Sequence, residues 1–400
     1  MIVREYLNCA TCQHPHIARI QVGHGGRQEH SFLCFNCKEP IKIAMDIDNK
    51  NIEIDFHLIS NCIAGNEEEG TPVFLSSNFV VDEKKINEEF YFGSFDFFKS
   101  IMSSTSGKKH LLKSQGAPGK SISEAWEKIK KIWRLEDAKQ YNIANALNKS
   151  FGVEYNVTVP ILRNNLRFFV DSTFSREERI FVEMRKAETL NPKEFSKFLL
   201  YYQLHLREQH RRSAYEILSD YFDNYMAFSQ IFAYVRSDLA MPNSAKATSL
   251  NFNEIKSFYA KAYEFYSGSI CIFTCLNNII EGRNFDQLRR MSLKEYVLTD
   301  KAKRRMSFMD NNAFSDASVE FDSKIRNASF HNWFFMLANN VTLELRSGGT
   351  GAVETITYTK YMHQCVLIFS QICKLLSLEL ALDQIACDQA LVTRQSVIGA

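Results

Sequence analysis

Two sets of residues in this chain have the types and spacing to do chemistry. The first is Cys9-Ala-Thr-Cys12 with Cys34-Phe-Asn-Cys37. Each pair lets two thiolates reach one ion from a tight turn, and two pairs complete the tetrahedral four-sulfur shell that zinc favours. Such a shell leaves no open position for a substrate. The expected ion is therefore structural Zn2+, whose binding energy folds a segment too small to fold alone. His14, His16, His24 and His30 lie among these cysteines and could compete as ligands, but none is needed. The second set is Arg326, Asn327 and His331 in Arg326-Asn-Ala-Ser-Phe-His331. A histidine of near-neutral pKa can take or give a proton. A guanidinium can grip phosphate oxygens and stabilise extra charge in a transition state. Together they suit RNA cleavage without a metal, because a ribose 2′-hydroxyl can attack its own neighbouring phosphate.

An Arg and a His five residues apart are weak evidence alone, since chance supplies about half a match in a chain of this composition. Arg19 and His24 also match, between the cysteine pairs, and that match reads as accidental. Geometry adds a constraint. On an ideal helix five residues turn through about 500°, leaving Arg326 and His331 about 140° apart. Either Arg326 sits at a helix break and reaches round, or a second copy of the chain completes the site.

The elements that must position these residues follow from patterning. Residues 1–60 read as β: Ile41, Ile43, Met45 and Ile47 alternate with polar residues, as do Ile52, Ile54, Phe56 and Leu58. The turn-forming Asp48-Asn49-Lys50-Asn51 between them makes a hairpin with one apolar face. With the two cysteine pairs this resembles a zinc ribbon. Residues 61–121 read as a loop-rich connection, Gly-, Ser- and Lys-rich from Ser103 to Ser121. From Ile122 the chain reads as helical, with a middle region 122–190 and a further domain 191–400. Helices are expected at about 175–189, 193–208, 210–238, 253–282 and 318–339. Two short β segments, 341–346 and 353–358, joined by Ser347-Gly-Gly-Thr-Gly351, precede a closing helix at about 359–384.

The R-N-x-x-x-H form at 326–331, its helical setting and the closing helix together resemble the HEPN superfamily over about residues 200–400. The resemblance implies an all-α bundle of four or five helices, giving a mainly α chain with a small N-terminal β zinc ribbon and a short β-hairpin before the last helix. Many such domains are metal-independent ribonucleases of toxin–antitoxin, abortive-infection and CRISPR-type defence systems. It implies that His331 is the acid–base, that Arg326 binds phosphate, and that Asn327 orients a substrate oxygen or the imidazole. The product would be a 2′,3′-cyclic phosphate and the protein a homodimer. No cofactor beyond the structural zinc is implied for catalysis. The substrate would be RNA, with tRNA a candidate, and a regulatory partner or phage-derived trigger would control it. A supporting polar residue is expected from the preceding long helix, with Asn277, Asn278 and Glu281 as candidates. The basic run Arg283, Arg289, Arg290, Lys294, Lys301, Lys303, Arg304 and Arg305 could grip an RNA backbone or simply be a solvated face. The rival reading is an inactive HEPN-like dimerisation module whose ribbon contacts nucleic acid or a partner protein; a second rival is a sensor whose bundle holds a small ligand.

Other features narrow the classes. A net charge of +2 gives no global attraction to polyanions, so any such site must be a local patch. The remaining cysteines, Cys62, Cys271, Cys275, Cys365, Cys373 and Cys387, sit in mostly apolar segments and read as reduced thiols of a cytoplasmic protein. No signal peptide is read at the N-terminus. No membrane span is expected either, the best apolar stretch being the short one around Cys271–Ile280. Gly116-Ala-Pro-Gly119-Lys120-Ser121 has only half of a phosphate-binding loop and no apolar strand before it.

Overall fold

The structure is a computed structural model that describes residues 1–23, 26–48, 53–66, 69–104, 122–149, 161–174, 177–249, 251–319, 321–331, 333–346 and 351–398. The glycine- and lysine-rich stretch to Ser121, most of the 48–51 turn, and Ser347–Thr350 lie outside these residues. The chain is mainly helical, with its longest strands near the N-terminus. It divides into two compact units, each assembled from separate stretches of chain. Unit 1 comprises Met1–Gly116, Asp223–Ala260 and Ser323–Leu367; unit 2 comprises Ala117–Phe222, Lys261–Asp322 and Ile368–Ala400. The boundaries expected at 60, 121 and 190 follow the sequence, whereas both units gather segments far apart along it.

Unit 1 holds every strand among the described residues. In chain order these are β1 (Ile2–Cys9), β2 (Pro15–Gln21), β3 (Gly26–Leu33), β4 (Pro40–Asp48), β5 (Glu53–Ser60), β6 (Cys62–Ala64), β7 (Thr71–Ser76), β8 (Val81–Asp82), β9 (Ala245–Lys246), β10 (Phe334–Met336), β11 (Thr342–Arg346) and β12 (Val353–Thr357). One sheet has the order β6-β1-β2-β7, with β7 parallel to β2; another has the order β3-β4-β5. The expected hairpin is the antiparallel β4–β5 pair, whose inward residues Ile41, Ile43, Met45 and Ile47 are buried. They join Leu7, Ile20, Phe32, Phe74 and Leu75 in one core. Burial of such side chains contributes about 1.5–3 kcal/mol each. β7 falls where a loop-rich connection was expected. Its Val73-Phe74-Leu75 run is buried on both faces and so shows no alternation to read.

The third sheet, β10-β11-β12, follows the Arg–His helix in the chain and packs against it through β11. Phe334 of β10 packs edge-on against Phe252 (5.2 Å) and Tyr361 (4.9 Å). Tyr358 N–H donates to Val341 O, tying the start of the closing helix to this sheet. Asn340 Nδ2 donates to Ser31 Oγ (3.4 Å), tying the sheet to β3.

Unit 2 is helical. Trp126 and Trp133, about two turns apart on helix Ile122–Asp137, are fully buried. Trp126 stacks on Phe222, and Tyr221 stacks on Phe369 with ring centroids 3.6 Å apart. Asn191 caps helix Pro192–Tyr201, accepting from Glu194 N–H, with Pro192 in the first turn. The break expected near residue 209 is absent. The helix passes through a π-helical stretch, Tyr202–Leu206, into Arg207–Asp223, and the chain breaks at Asn224 instead. No Gly or Pro interrupts 193–223, so nothing in the sequence stops the helix earlier.

The closing helix runs Tyr358–Ile398, longer than expected. Its segment Tyr358–Gln389 is long and apolar enough to cross a membrane by composition, a stretch that outranks the one around Cys271; 89% of its most apolar window is buried inside the protein.

Candidate functional site

The four cysteine sulfurs lie within 4.8 Å of one another. Cys9 Sγ is 3.7 Å from Cys37 Sγ, and Cys12 Sγ is 3.6 Å from Cys34 Sγ. A tetrahedron with Zn–S bonds of about 2.3 Å has sulfurs roughly 3.8 Å apart, so the donor set fits a zinc-sized ion. The two knuckles are built alike. Cys9 N–H donates to His14 O and Gln13 N–H to Cys9 O; Cys34 N–H donates to Glu39 O and Lys38 N–H to Cys34 O. Gln13 (φ 60°) and Lys38 (φ 62°) each follow the second cysteine of a pair in the left-handed region, turning the chain back after the last sulfur. The His14 backbone N–H lowers the Cys12 thiol to about 6, whereas burial pushes Cys34 up to about 12. A dication would hold all four as thiolates regardless of that difference.

Of the four histidines, His16 comes nearest: its Nε2 is 3.4 Å from Cys34 Sγ. Burial lowers it to about 4, so it is neutral and a proton on Nε2 would donate to the sulfur rather than bind metal. His14 bonds Thr71 Oγ1 (2.8 Å), His30 is wholly buried in β3, and His24 lies outside the described residues. Sequence reasoning missed Asn61. Its Oδ1 accepts from Thr11 N–H and Thr11 Oγ1 and lies 3.7 Å from Cys9 Sγ, while its Nδ2 donates to Pro40 O. It therefore braces the first knuckle against β4, and no local motif marks it.

The Arg–His segment differs from expectation in one decisive way. The helix is Ser323–Phe330, eight residues long, and ends immediately before His331. Beyond it, Trp333–Ala338 was read as helix, but Phe334–Met336 is strand β10. A short apolar run is ambiguous by periodicity, and pairing with β11 decides it. Ile325 and Ala328 anchor the helix in the core of the unit. Arg326 and Asn327 are half-buried and His331 is exposed. Arg326 Nη1 donates to Asn327 Oδ1 (2.6 Å). His331 N–H donates to Asn327 O (3.1 Å). The Arg326 guanidinium lies 5.8 Å from the Phe330 ring centre, and the His331 ring lies 6.4 Å from the same ring. The helix stops at Phe330, but the i→i−4 bond to Asn327 O keeps His331 in helical register, and what the two groups share is nearness to the Phe330 ring. The break falls at the histidine, not at the arginine.

The other candidates belong to unit 2 and are committed locally. Asn277 Nδ2 donates to Ser307 O (3.4 Å), and Asn278 both donates to Phe285 O and accepts from Arg283. Glu281 pairs with Arg283 and Arg289. Of the basic run, Arg304 is buried and donates to the carbonyls of Ser267 and Val297, so it holds structure rather than RNA. Lys301 pairs with Glu264. Arg305 is half-buried, while Arg290, Lys294 and Lys303 are exposed. The phosphate-loop-like residues 116–121 lie outside the described residues.

No known protein family, characterised protein or solved structure matches this chain.

Proposed function

We propose that this chain is a metal-independent endoribonuclease of the HEPN type, with a structural zinc held by Cys9, Cys12, Cys34 and Cys37. His331 is the acid–base, Arg326 holds phosphate and Asn327 orients Arg326. The observation that carries the reading is an exposed His331 at the end of helix Ser323–Phe330, with it and Arg326 both near the exposed Phe330 ring. The order of elements supports it: a short motif helix, a β-hairpin and a long closing helix follow one another. The biological setting, anti-phage defence or toxin-type growth arrest in bacteria with tRNA as a candidate target, rests on the family resemblance, as does a homodimer. The zinc knuckles and the Arg–His helix belong to the same unit, in keeping with a structural duty for the metal.

The test is incubation of purified protein with total RNA without added divalent ions, wild type beside His331→Ala. Discrete fragments ending in 2′,3′-cyclic phosphate from wild type alone establish the reading. Equal cleavage by both, or none by either across total RNA and tRNA, refutes it.

A second reading, a ligand-holding bundle, is favoured by one observation. Unit 2 has a cleft of about 270 Å³, partly open to solvent, whose lining includes Trp133, Arg163, Leu166, Arg207 and Leu380. Arg163 is buried there, and its Nε has no hydrogen-bond partner among the described residues. Native mass spectrometry of the purified protein would reveal a retained ligand.

A further inference from the structure

Single exposed aromatic rings are common on protein surfaces and need no explanation. Here two exposed rings flank His331 in the chain, and each has an arginine against it. Phe330 is 62% exposed, with the Arg326 guanidinium 5.8 Å from its centre. Trp333 is 38% exposed, with the Arg346 guanidinium 5.8 Å from its centre. Two bonds hold the Trp333 backbone in place: its N–H donates to Ala328 O (2.9 Å), and Arg346 N–H donates to its O (3.0 Å). Arg346 forms no ion pair with the described residues, so its charge is available to a ligand. An apolar partner would need a continuous apolar face, and this surface is broken by charge. Phe335, 51% exposed, lies opposite Glu344 in the β10–β11 register, so the third ring of the series sits beside a carboxylate. The cationic and aromatic character is concentrated at the His331 end.

Unpaired bases stack on such rings whatever their identity, and neighbouring arginines take the phosphates between them. Bases within a duplex offer no free face. We propose that Phe330 and Trp333 form a stacking platform for two unpaired bases of single-stranded RNA, with Arg326 and Arg346 contacting the backbone and His331 between them in the chain. This rests on the ribonuclease reading and deepens it: the substrate is an unpaired loop or end rather than a helix.

The chain provides its own reporter. It has three tryptophans, and Trp126 and Trp133 are 0% and 1% exposed, so Trp333 alone is accessible to a stacking base. The probe is a mixed-sequence 12-nucleotide RNA with 2′-O-methyl groups, which cannot be cleaved through its own sugar, beside a duplex of the same length. The expected result is quenching of Trp333 emission by the single strand, with affinity at least tenfold above that for the duplex. Phe330→Ala and Trp333→Ala should each weaken binding about tenfold, read by fluorescence anisotropy of a labelled strand. Phe330→Tyr and Trp333→Phe should keep most of it, and unchanged circular dichroism would show that the alanine variants fold. Absence of quenching, equal affinity for the duplex, or full affinity in both folded alanine variants overturns the platform. So do alanine variants that change the oligomeric state while leaving RNA affinity intact, since the surface would then be a contact between copies. The two readings fail separately. Quenching by the blocked strand in a protein that leaves natural RNA uncut sinks the ribonuclease and keeps the platform. Cleavage of unpaired RNA that survives both alanine changes does the reverse.

Discussion

The cysteine knuckles and the Arg–His helix share a unit, yet they hold their side chains in opposite ways. Around the sulfurs, two matched backbone loops, two left-handed residues and the Asn61 brace fix every donor, and two of the four cysteines are fully buried. At the Arg–His site one short helix is anchored by Ile325 and Ala328, and the end that carries His331 is exposed. The difference suits what each is proposed to hold, an ion at the cysteines and RNA at the Arg–His surface. A small ion that never leaves is best served by a closed, pre-formed shell. A polymer that comes and goes needs groups on an accessible surface, with only their backbone fixed.

The largest effect that would test this contrast is removal of a sulfur. Cys34→Ala should abolish stoichiometric zinc, measured by elemental analysis, and unfold the β1–β7 region, because structural zinc supplies about 10–16 kcal/mol in small domains. Retained zinc and native circular dichroism in that variant would mean the knuckles fold without the ion. His331→Ala should do the opposite: activity falls about 10²- to 10⁴-fold while the melting temperature barely moves, because the imidazole is exposed and only its backbone makes a described hydrogen bond. A large drop in melting temperature would assign His331 a structural duty instead.

Acid should distinguish the two halves of unit 1. Burial lowers the wholly buried His30 to about 4, and neither ring nitrogen has a partner among the described residues. The unfolded chain takes up that proton near pH 6.5 and the folded one does not. Stability is thus fully present above about 6.5 and declines as pH falls toward 4, by about 3 kcal/mol in all. Urea midpoints at pH 7 and pH 5 should differ less in His30→Leu than in wild type; equal pH dependence would exclude this histidine as the cause. The smallest effect is expected at Asn61→Ala, which should weaken zinc affinity about 10- to 100-fold without preventing folding, read by competition with a chromophoric chelator.

How much the sequence disclosed follows the same divide. The knuckles were legible because C-x-x-C spacing sets local geometry, and the β4–β5 hairpin because one of its faces is buried and the other wet. The closing helix was legible from its length of apolar residues. The end of the motif helix was not, since Phe334–Met336 becomes strand only through pairing with β11, a tertiary event. β7 was hidden for the same reason: its partner β2 lies more than fifty residues earlier and runs parallel to it. Asn277, Asn278 and Glu281 looked available because sequence shows polarity but not the carbonyls and arginines that already occupy them.

The division of the chain has a consequence for its synthesis. Ser31 bonds Thr248 and Asn340, and Ser76 bonds Thr248, so unit 1 closes only when segments up to 309 residues apart are all present. At about 5–20 residues per second, a ribosome finishes Leu367 roughly 15–70 s after Ser31. Throughout that interval the strand carrying Ser31 must wait for its neighbours, exposed to chaperones and proteases. A nascent chain halted before that point has no assembled Arg–His surface, so that surface forms only once residues up to Leu367 have been made.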